Sequence, residues 1–353
     1  MTRAAALPFA AVLAVAYLAS SALAGSGTHT FEAPGAIGSI SASGSSVAIH
    51  VGDGVNLCTP AMVWNASTGA VTKLKDPCTS DATFQNLTLA GTTPIWWDES
   101  AGIHVYCDDV YASSHALGIC DGTEGDTFYE FGGDRTVTAI SDYSVCDADC
   151  TGANGQLLPD GNYGVEVRRL VGRKVVALLK PVDFRLFLDA RNWRVASIEP
   201  RSRLTVWDTS GRPLWSLPGV TGVYAGAITG NSVVIHQLRT LRVYSKTGPG
   251  PARPVPKGAT LEGTAGGLAL YDVGSTVRVL RLSDGRDRRL VAVRGLAGSQ
   301  ITPAGAFYAA GRAVTLVRWR QCFASFGNGS IIRAWSGRVV ISASCRPSPS
   351  GFS

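Results

Sequence analysis

Over the second half of the chain, apolar and polar positions alternate in short bursts, and no burst is long enough for a helix. The segment TVRVLRL at 276–282 is representative, placing apolar side chains on one face of an extended strand. Each burst ends in a polar turn closed by glycine. The phrase VWDTSG at 206–211 is followed by VYSKTG at 243–248 and LRLSDG at 280–285, so that Gly211, Gly248 and Gly285 are spaced by 37 residues twice over. After each glycine comes a second short strand, RPLWSL at 212–217, ARPV at 252–255 and RRLVAV at 288–293. A constant period near forty residues, made only of strands and turns, predicts an all-β fold, a β-propeller with one blade per period.

The same plan extends to the rest of the chain. ISASGSSVAIH at 40–50 predicts a hairpin, closely matched by AITGNSVVIH at 227–236. With 61–64, the turn NASTG at 65–69 and the strand at 70–74, it makes blade one. Blade two is expected from 87–89, 95–97 and 103–106, ending in a strand near 127–131. Blade three takes 137–140, 163–167 and 174–179 around a cysteine-bracketed loop. Blade four runs from 184 to 217, blades five and six end near Val255 and Val293, and blade seven holds 300–302, 306–309 and 314–319. The count is seven four-stranded blades. An open edge on the last blade would invite aggregation, so it needs an outer strand. Either 28–32 or a C-terminal hairpin of 331–335 and 338–342 can supply it.

Residues 1–24 read as a signal peptide. Arg3 gives the positive start, 4–23 the apolar run, and Ala22-Leu-Ala24 a small-residue cleavage site. A retained anchor is the alternative. The expected division is a propeller over 25–345 and a C-terminal tail over 346–353, exported to a secreted, extracellular location, with no transmembrane segment after the signal. The 41 Gly and 17 Pro fit many tight turns, while a 45% hydrophobic content argues against disorder. In an exported chain the eight cysteines imply disulfides. They fall into neighbouring couples: Cys58 and Cys78, Cys107 and Cys120, Cys146 and Cys150, Cys322 and Cys345. The last couple favours the C-terminal hairpin as the outer strand of blade seven. Zinc is the alternative, but no C-x2-C occurs.

Candidate chemistry is sparse. His50 and His236 fall at equivalent repeat positions, which points to a structural role, and no Ser-His-Asp arrangement stands out. Asp121, Glu124 and Asp126 around glycines could wrap a calcium ion, although the EF-hand spacing is missing and solvated loop acids are the simpler reading. The Cys146–Cys150 loop lacks the C-x-x-C spacing of thiol oxidoreductases. Trp96, Trp97, Tyr106, Tyr111 and Tyr143 either fill space between blades or offer a rim for sugars or peptides, and the packing role is preferred. No catalytic, cofactor-binding or metal residue is assigned, and no cofactor is expected.

The segment LTVWDTSGRPLW at 204–215 resembles a repeat of the quinoprotein-like propellers, in which an aspartate, a turn glycine and a tryptophan four residues later dock adjacent blades. NASTG at 65–69 is similar at the turn, with Lys73 where that tryptophan would stand. Trp207-Asp208 is also similar to a WD40 repeat, without its Gly-His signature. None of the residues that hold the quinone in those enzymes can be matched, so the resemblance implies a fold and no activity.

Charge separates along the chain. Residues 25–165 carry 17 acidic and three basic residues, and residues 166–353 carry nine acidic and 28 basic ones. In a ring that follows sequence order, blades one to three become acidic and blades four to seven basic. Local density is highest at Arg168, Arg169, Arg173 and Lys174, and at Arg281, Arg286, Arg288 and Arg289. The expected function is a non-catalytic extracellular binding scaffold. Its partner would be a protein or an anionic envelope polymer on the basic blades, or another copy through self-association, with no specific nucleic acid. The alternative is a degenerate quinoprotein-like dehydrogenase, or a propeller lyase or glycosidase.

Overall fold

In a computed structural model, the described residues are 28–52, 60–74, 84–98, 109–113, 115–117, 126–134, 137–145, 162–171, 174–177 and 186–318. They form seven antiparallel sheets of strands, with one 3₁₀ turn at Pro200–Ser202. The inner strands, in blade order, are Ile37–Ser43, Phe84–Ala90, Asp126–Gly133, Leu186–Arg191, Val223–Thr229, Ala259–Ala265 and Leu296–Thr302. Each lies beside the inner strand of the next blade, and the last returns to the first, so the ring closes.

Two of the expected boundaries change. The strand near 127–131 is the inner strand of blade three, not the end of blade two, and Thr138–Val145 is therefore the second strand of that blade. Blade two instead ends with the short strands Asp109–Ala112 and His115–Ala116. Closure is resolved in favour of the N-terminus among the described residues. Thr28–Glu32 pairs with Ala313–Arg318 as the outer strand of blade seven. The C-terminal hairpin, the signal and tail segments, 103–106 and all eight cysteines lie outside the described residues.

The hairpin seen twice in the sequence is one structure. Ser43 pairs with Ser46, and Thr229 with Ser232, each around a two-residue turn that begins with glycine. Gly44 and Gly230 both sit at φ +59°, the left-handed region such turns require. Their partners in register include His50 and His236, which occupy the same position on the second strand.

The core is divided among the seams between blades. Val47, Ile49 and Trp64 of blade one pack with Phe307 and Leu316 of blade seven. Leu204 and Val206 of blade four meet Ile228, Val233 and Ile235 of blade five, and Ala227 and Val234 meet Ala269 and Tyr271 of blade six. Full burial of such side chains contributes roughly 1.5–3 kcal/mol each. The inner strands approach closely where glycine replaces a side chain. A Cβ on Gly226 would lie 2.9 Å from Leu188 Cδ1 of the preceding blade.

Trp96 is buried in the seam between blades one and two and stacks on Tyr111 with ring centroids 5.5 Å apart, so for this pair the packing role holds. Trp215 is half-buried and packs into the seam between blades four and five, as the resemblance implied. Lys73, at the corresponding place in blade one, is exposed. The turn aspartate works locally. Asp208 accepts the Ser210 hydroxyl at 2.6 Å and the amides of Arg212 and Ser210, and these hydrogen bonds, the hydroxyl's first, hold its carboxyl down to about 2. Asn65 accepts from Ser67 and Thr68 in the same manner.

Candidate functional site

Polar side chains gather on blades four to seven in three places. The first is at the inner strands, near the hairpins that join strands one and two. Asp189 is buried on the inner strand of blade four. It pairs with Arg191, Oδ2 to Nε at 2.6 Å, and accepts the amide of Ile228 in blade five at 2.7 Å. Arg191 Nη1 in turn donates to the carbonyl of Thr264 in blade six at 3.0 Å, and Thr264 Oγ1 donates to the Ile228 carbonyl at 2.7 Å. Three consecutive blades are thus tied by one ion pair and the backbone around it. Every acceptor is used internally, so this cluster is architectural.

The second place is the seam between blades six and seven. Glu262 occupies a bulge in the inner strand of blade six, where the register steps from Leu261 to Gly263. A bulge leaves one residue unpaired and turns its side chain out of the ladder. Asp272 lies on the neighbouring strand and accepts from Ser299 Oγ of blade seven at 2.7 Å. Burial, and then the Asp272 charge, push the Glu262 carboxyl up to about 8. Burial also pushes Asp272 up to about 6, against the hydrogen bond from Ser299. Two carboxyl groups that resist ionisation can hold protons near neutral pH.

The third place is a cavity of about 360 Å³ between blades five and six. Its walls include Thr229, Ser232 and Arg253 from blade five and Arg281 and Ser283 from blade six. Arg281 is 9% exposed. Its Nη1 lies 3.4 Å from Asp284 Oδ2, while Nε and Nη2 are buried without a hydrogen-bond partner. Arg253 reaches over from the outer strand of blade five and donates through Nη2 to the Ser283 carbonyl at 3.1 Å, its Nε buried and unpartnered. Room for this guanidinium comes from Gly285, the last of the three glycines in the 37-residue period. A Cβ there would stand 2.9 Å from Arg253 Nη1.

Of the arginines singled out in the sequence, Arg281 is therefore a wall of this cavity rather than part of an outer patch. Arg286 and Arg289 are exposed on the outer edge of blade six, with Arg288 half-buried between them. Arg278 is engaged by Asp287 at 2.8 Å and by the Tyr271 hydroxyl. The side chains of Arg168, Arg169 and Lys174 lie outside the described residues, as do Arg173, residues 121–125 of the acidic stretch, Tyr106, and the side chains of Asp126, Trp97 and Tyr143. Asp189, Glu262, Asp272 and Arg253 do not stand out in the sequence. Only Glu262 carries a signal there, as an acidic residue interrupting the apolar rhythm of an inner strand.

Neither a family model nor a curated protein matches the chain. Solved structures do. A chain of the crystal structure of a mitotic checkpoint complex is similar over 89% of this chain and 98% of its own length, at 14% identity and a TM-score of 0.50. A chain from a structural and mechanistic study of two prolyl endopeptidases is similar over 77% of this chain and 45% of its own, at 15% identity and a TM-score of 0.47. At these identities the likeness is one of fold, an all-β propeller.

Proposed function

We propose that this chain is an exported, non-catalytic propeller that serves as a binding scaffold for an anionic partner, held on blades four to seven. The supporting observation is the concentration of cationic groups there: 18 basic against seven acidic residues over 186–318, with Arg286, Arg288 and Arg289 close together along the outer edge of blade six. Fields from scattered charges are screened beyond about 8 Å at physiological salt, so a dense local cluster is what attracts a partner. Arginine suits the role because its planar fork grips carboxylate or phosphate with two bonds. The fitting partners are an anionic envelope polymer, an acidic protein, or the acidic blades of another copy. The similar chain from a checkpoint complex also belongs to a protein assembly, which agrees with a propeller used for contact. The test is retention of the mature protein on immobilised heparin or polyphosphate. Retention falls steeply with added salt and drops in the triple variant R286S/R288S/R289S. Retention unchanged by that variant overturns the reading.

One observation favours the enzymatic alternative. Glu262 and Asp272 are a carboxyl pair with elevated proton affinity, the equipment of acid–base chemistry. Activity in a glycoside-cleavage screen, lost in E262Q while polymer retention stays intact, would replace the scaffold reading.

A further inference from the structure

The turns between the second and third strands lie on one face of the ring, together with the links from each blade to the next inner strand. Blades five, six and seven each make that turn with two residues, Leu238-Arg239, Gly274-Ser275 and Gly311-Arg312. The first residue is left-handed in all three, at φ +52°, +56° and +58°. Glycine takes this conformation freely, whereas a residue with a Cβ resists it. Leu238 stands there all the same, and it is 71% exposed. The ring gives no support to a side chain at this place, since a Cβ on Gly274 or Gly311 would meet no neighbouring heavy atom within 4 Å. Tyr224, 62% exposed, projects from a bulge beside Val223, which pairs with Gln237. Two large apolar side chains thus stand out from one end of blade five. Their surroundings are cationic. Arg201, Arg203, Arg239, Lys257 and Arg294 are exposed on the same face of blades four to six, and none forms an ion pair among the described residues. Against them stand Glu199, opposite Arg203 in register, and the seam carboxyls of Glu262 and Asp272. On the opposite face Arg212, Arg281 and Arg286 each lie within ion-pair distance of an aspartate.

We propose that this face docks on an anionic lipid bilayer, with Leu238 and Tyr224 entering the headgroup region and the cations resting on lipid phosphates. Basic side chains are drawn to anionic lipid, and apolar ones to the boundary beneath the headgroups. Tyrosine suits that interface, with an apolar ring and a polar hydroxyl. A leucine kept where glycine is free of strain points to a role for its side chain outside the fold. A bilayer fits better than a folded partner because the apolar tips stand singly on convex turns, and a fluid surface takes them without a matching socket. The cavity between blades five and six opens among turns of the opposite face, so it offers no such contact here. The acidic blades one to three do not cancel the attraction, because charges are screened beyond about 8 Å. The ring therefore leans onto blades four to six. The inference goes beyond the scaffold reading and uses none of Arg286, Arg288 and Arg289.

Co-sedimentation with vesicles is the test, using the full mature protein and bilayers of phosphatidylglycerol in phosphatidylcholine, or of phosphatidylcholine alone. The protein binds the anionic vesicles, with steep loss on adding salt, and leaves the neutral ones. Leu238→Gly installs the residue of blades six and seven, so the melting temperature holds or rises while vesicle affinity falls roughly tenfold. R239S and R294S each weaken binding by about fivefold, one cation near the surface apiece. R286S/R288S/R289S leaves vesicle binding intact, and L238G leaves retention on polyphosphate intact, so the two readings fail separately. Absence of binding to anionic vesicles, or binding unchanged in L238G, overturns the proposal. So does a wild type that ignores vesicles yet is captured by an immobilised acidic protein in a manner lost in L238G, an outcome that makes the face a protein contact.

Discussion

The Asp189 carboxylate of blade four accepts the backbone N–H of Ile228 in blade five across 2.7 Å. Blade one does the same with a hydroxyl: Ser41 Oγ accepts the amide of Leu89 in blade two at 2.9 Å. The two contacts are equivalent in register. Each acceptor lies two residues before the end of its inner strand, and each donor one residue before the end of the next. A side chain of one blade thus takes up an amide of the next, fixing the height at which neighbours stack.

The two latches differ in what their removal leaves behind. Asp189→Ala strips Arg191 of its partner at 2.6 Å and leaves a half-buried guanidinium unpaired. Breaking a buried pair from one side costs roughly 3–5 kcal/mol. Ser41→Ala deletes one neutral hydrogen bond, worth about 1 kcal/mol. Urea unfolding should rank them in that order. A cost below about 1 kcal/mol for Asp189→Ala would show that the pair does not hold the seam.

Ring closure depends on the N-terminal strand. Phe31 stacks on Trp64 of blade one with centroids 5.7 Å apart, and Thr30 Oγ1 meets Thr315 Oγ1 at 3.2 Å. Deleting 28–32 would expose the whole edge of Ala313–Arg318, a template for pairing with another chain. The expected outcome is concentration-dependent aggregation seen by light scattering, at temperatures where the intact chain stays monodisperse. A monodisperse deletion variant of unchanged melting temperature would mean that another segment closes the ring.

The regular half of the ring is legible in the sequence because its signal is local. Gly211, Gly248 and Gly285 mark turns, and the residues around them alternate with a period set by the strand itself. The irregular half cannot be phased this way. Long insertions between strands break the period, so 127–131 reads as the end of blade two although Asp126–Gly133 opens blade three. The latches and the cavity escape for a different reason. Asp189 binds a backbone amide 39 positions away, and an amide carries no side-chain signal. Arg253 and Arg281 belong to different blades, and only the packing of one against the other gives them a common wall.

Disulfide pairing is the expectation for an exported chain, and the couples are close enough in sequence to be local. Peptide mapping without reduction should find four bridges, Cys58–Cys78, Cys107–Cys120, Cys146–Cys150 and Cys322–Cys345. A free thiol at Cys107 or Cys322, or a bridge joining blades one and seven, would contradict local pairing.

The carboxyl pair between blades six and seven gives a pH dependence of definite sign. Glu262 has an ordinary value of 4.5 and rises to about 8 on folding, and Asp272 rises from 3.8 to about 6. The folded protein therefore holds protons that the unfolded chain has already released. Stability is fully present below the unfolded values and declines as pH rises, through about 6 for Asp272 and on to about 8 for Glu262. A tenfold difference in proton affinity between the folded and unfolded states corresponds to about 1.4 kcal/mol, so the loss by pH 8 is on the order of a few kcal/mol. Most of it belongs to Glu262, because Asp272 is less completely buried and solvent screening reduces its share. Melting curves from pH 5 to pH 8 should show the decline, and E262Q, which cannot ionise, should flatten most of it. D272N acts on the lower part of the range and also alters the bond from Ser299, so its curve should flatten mainly between pH 5 and pH 6. A wild-type melting temperature that is constant from pH 5 to pH 8, or one that rises, would place both carboxylates in contact with water and remove the pair as a proton-holding site.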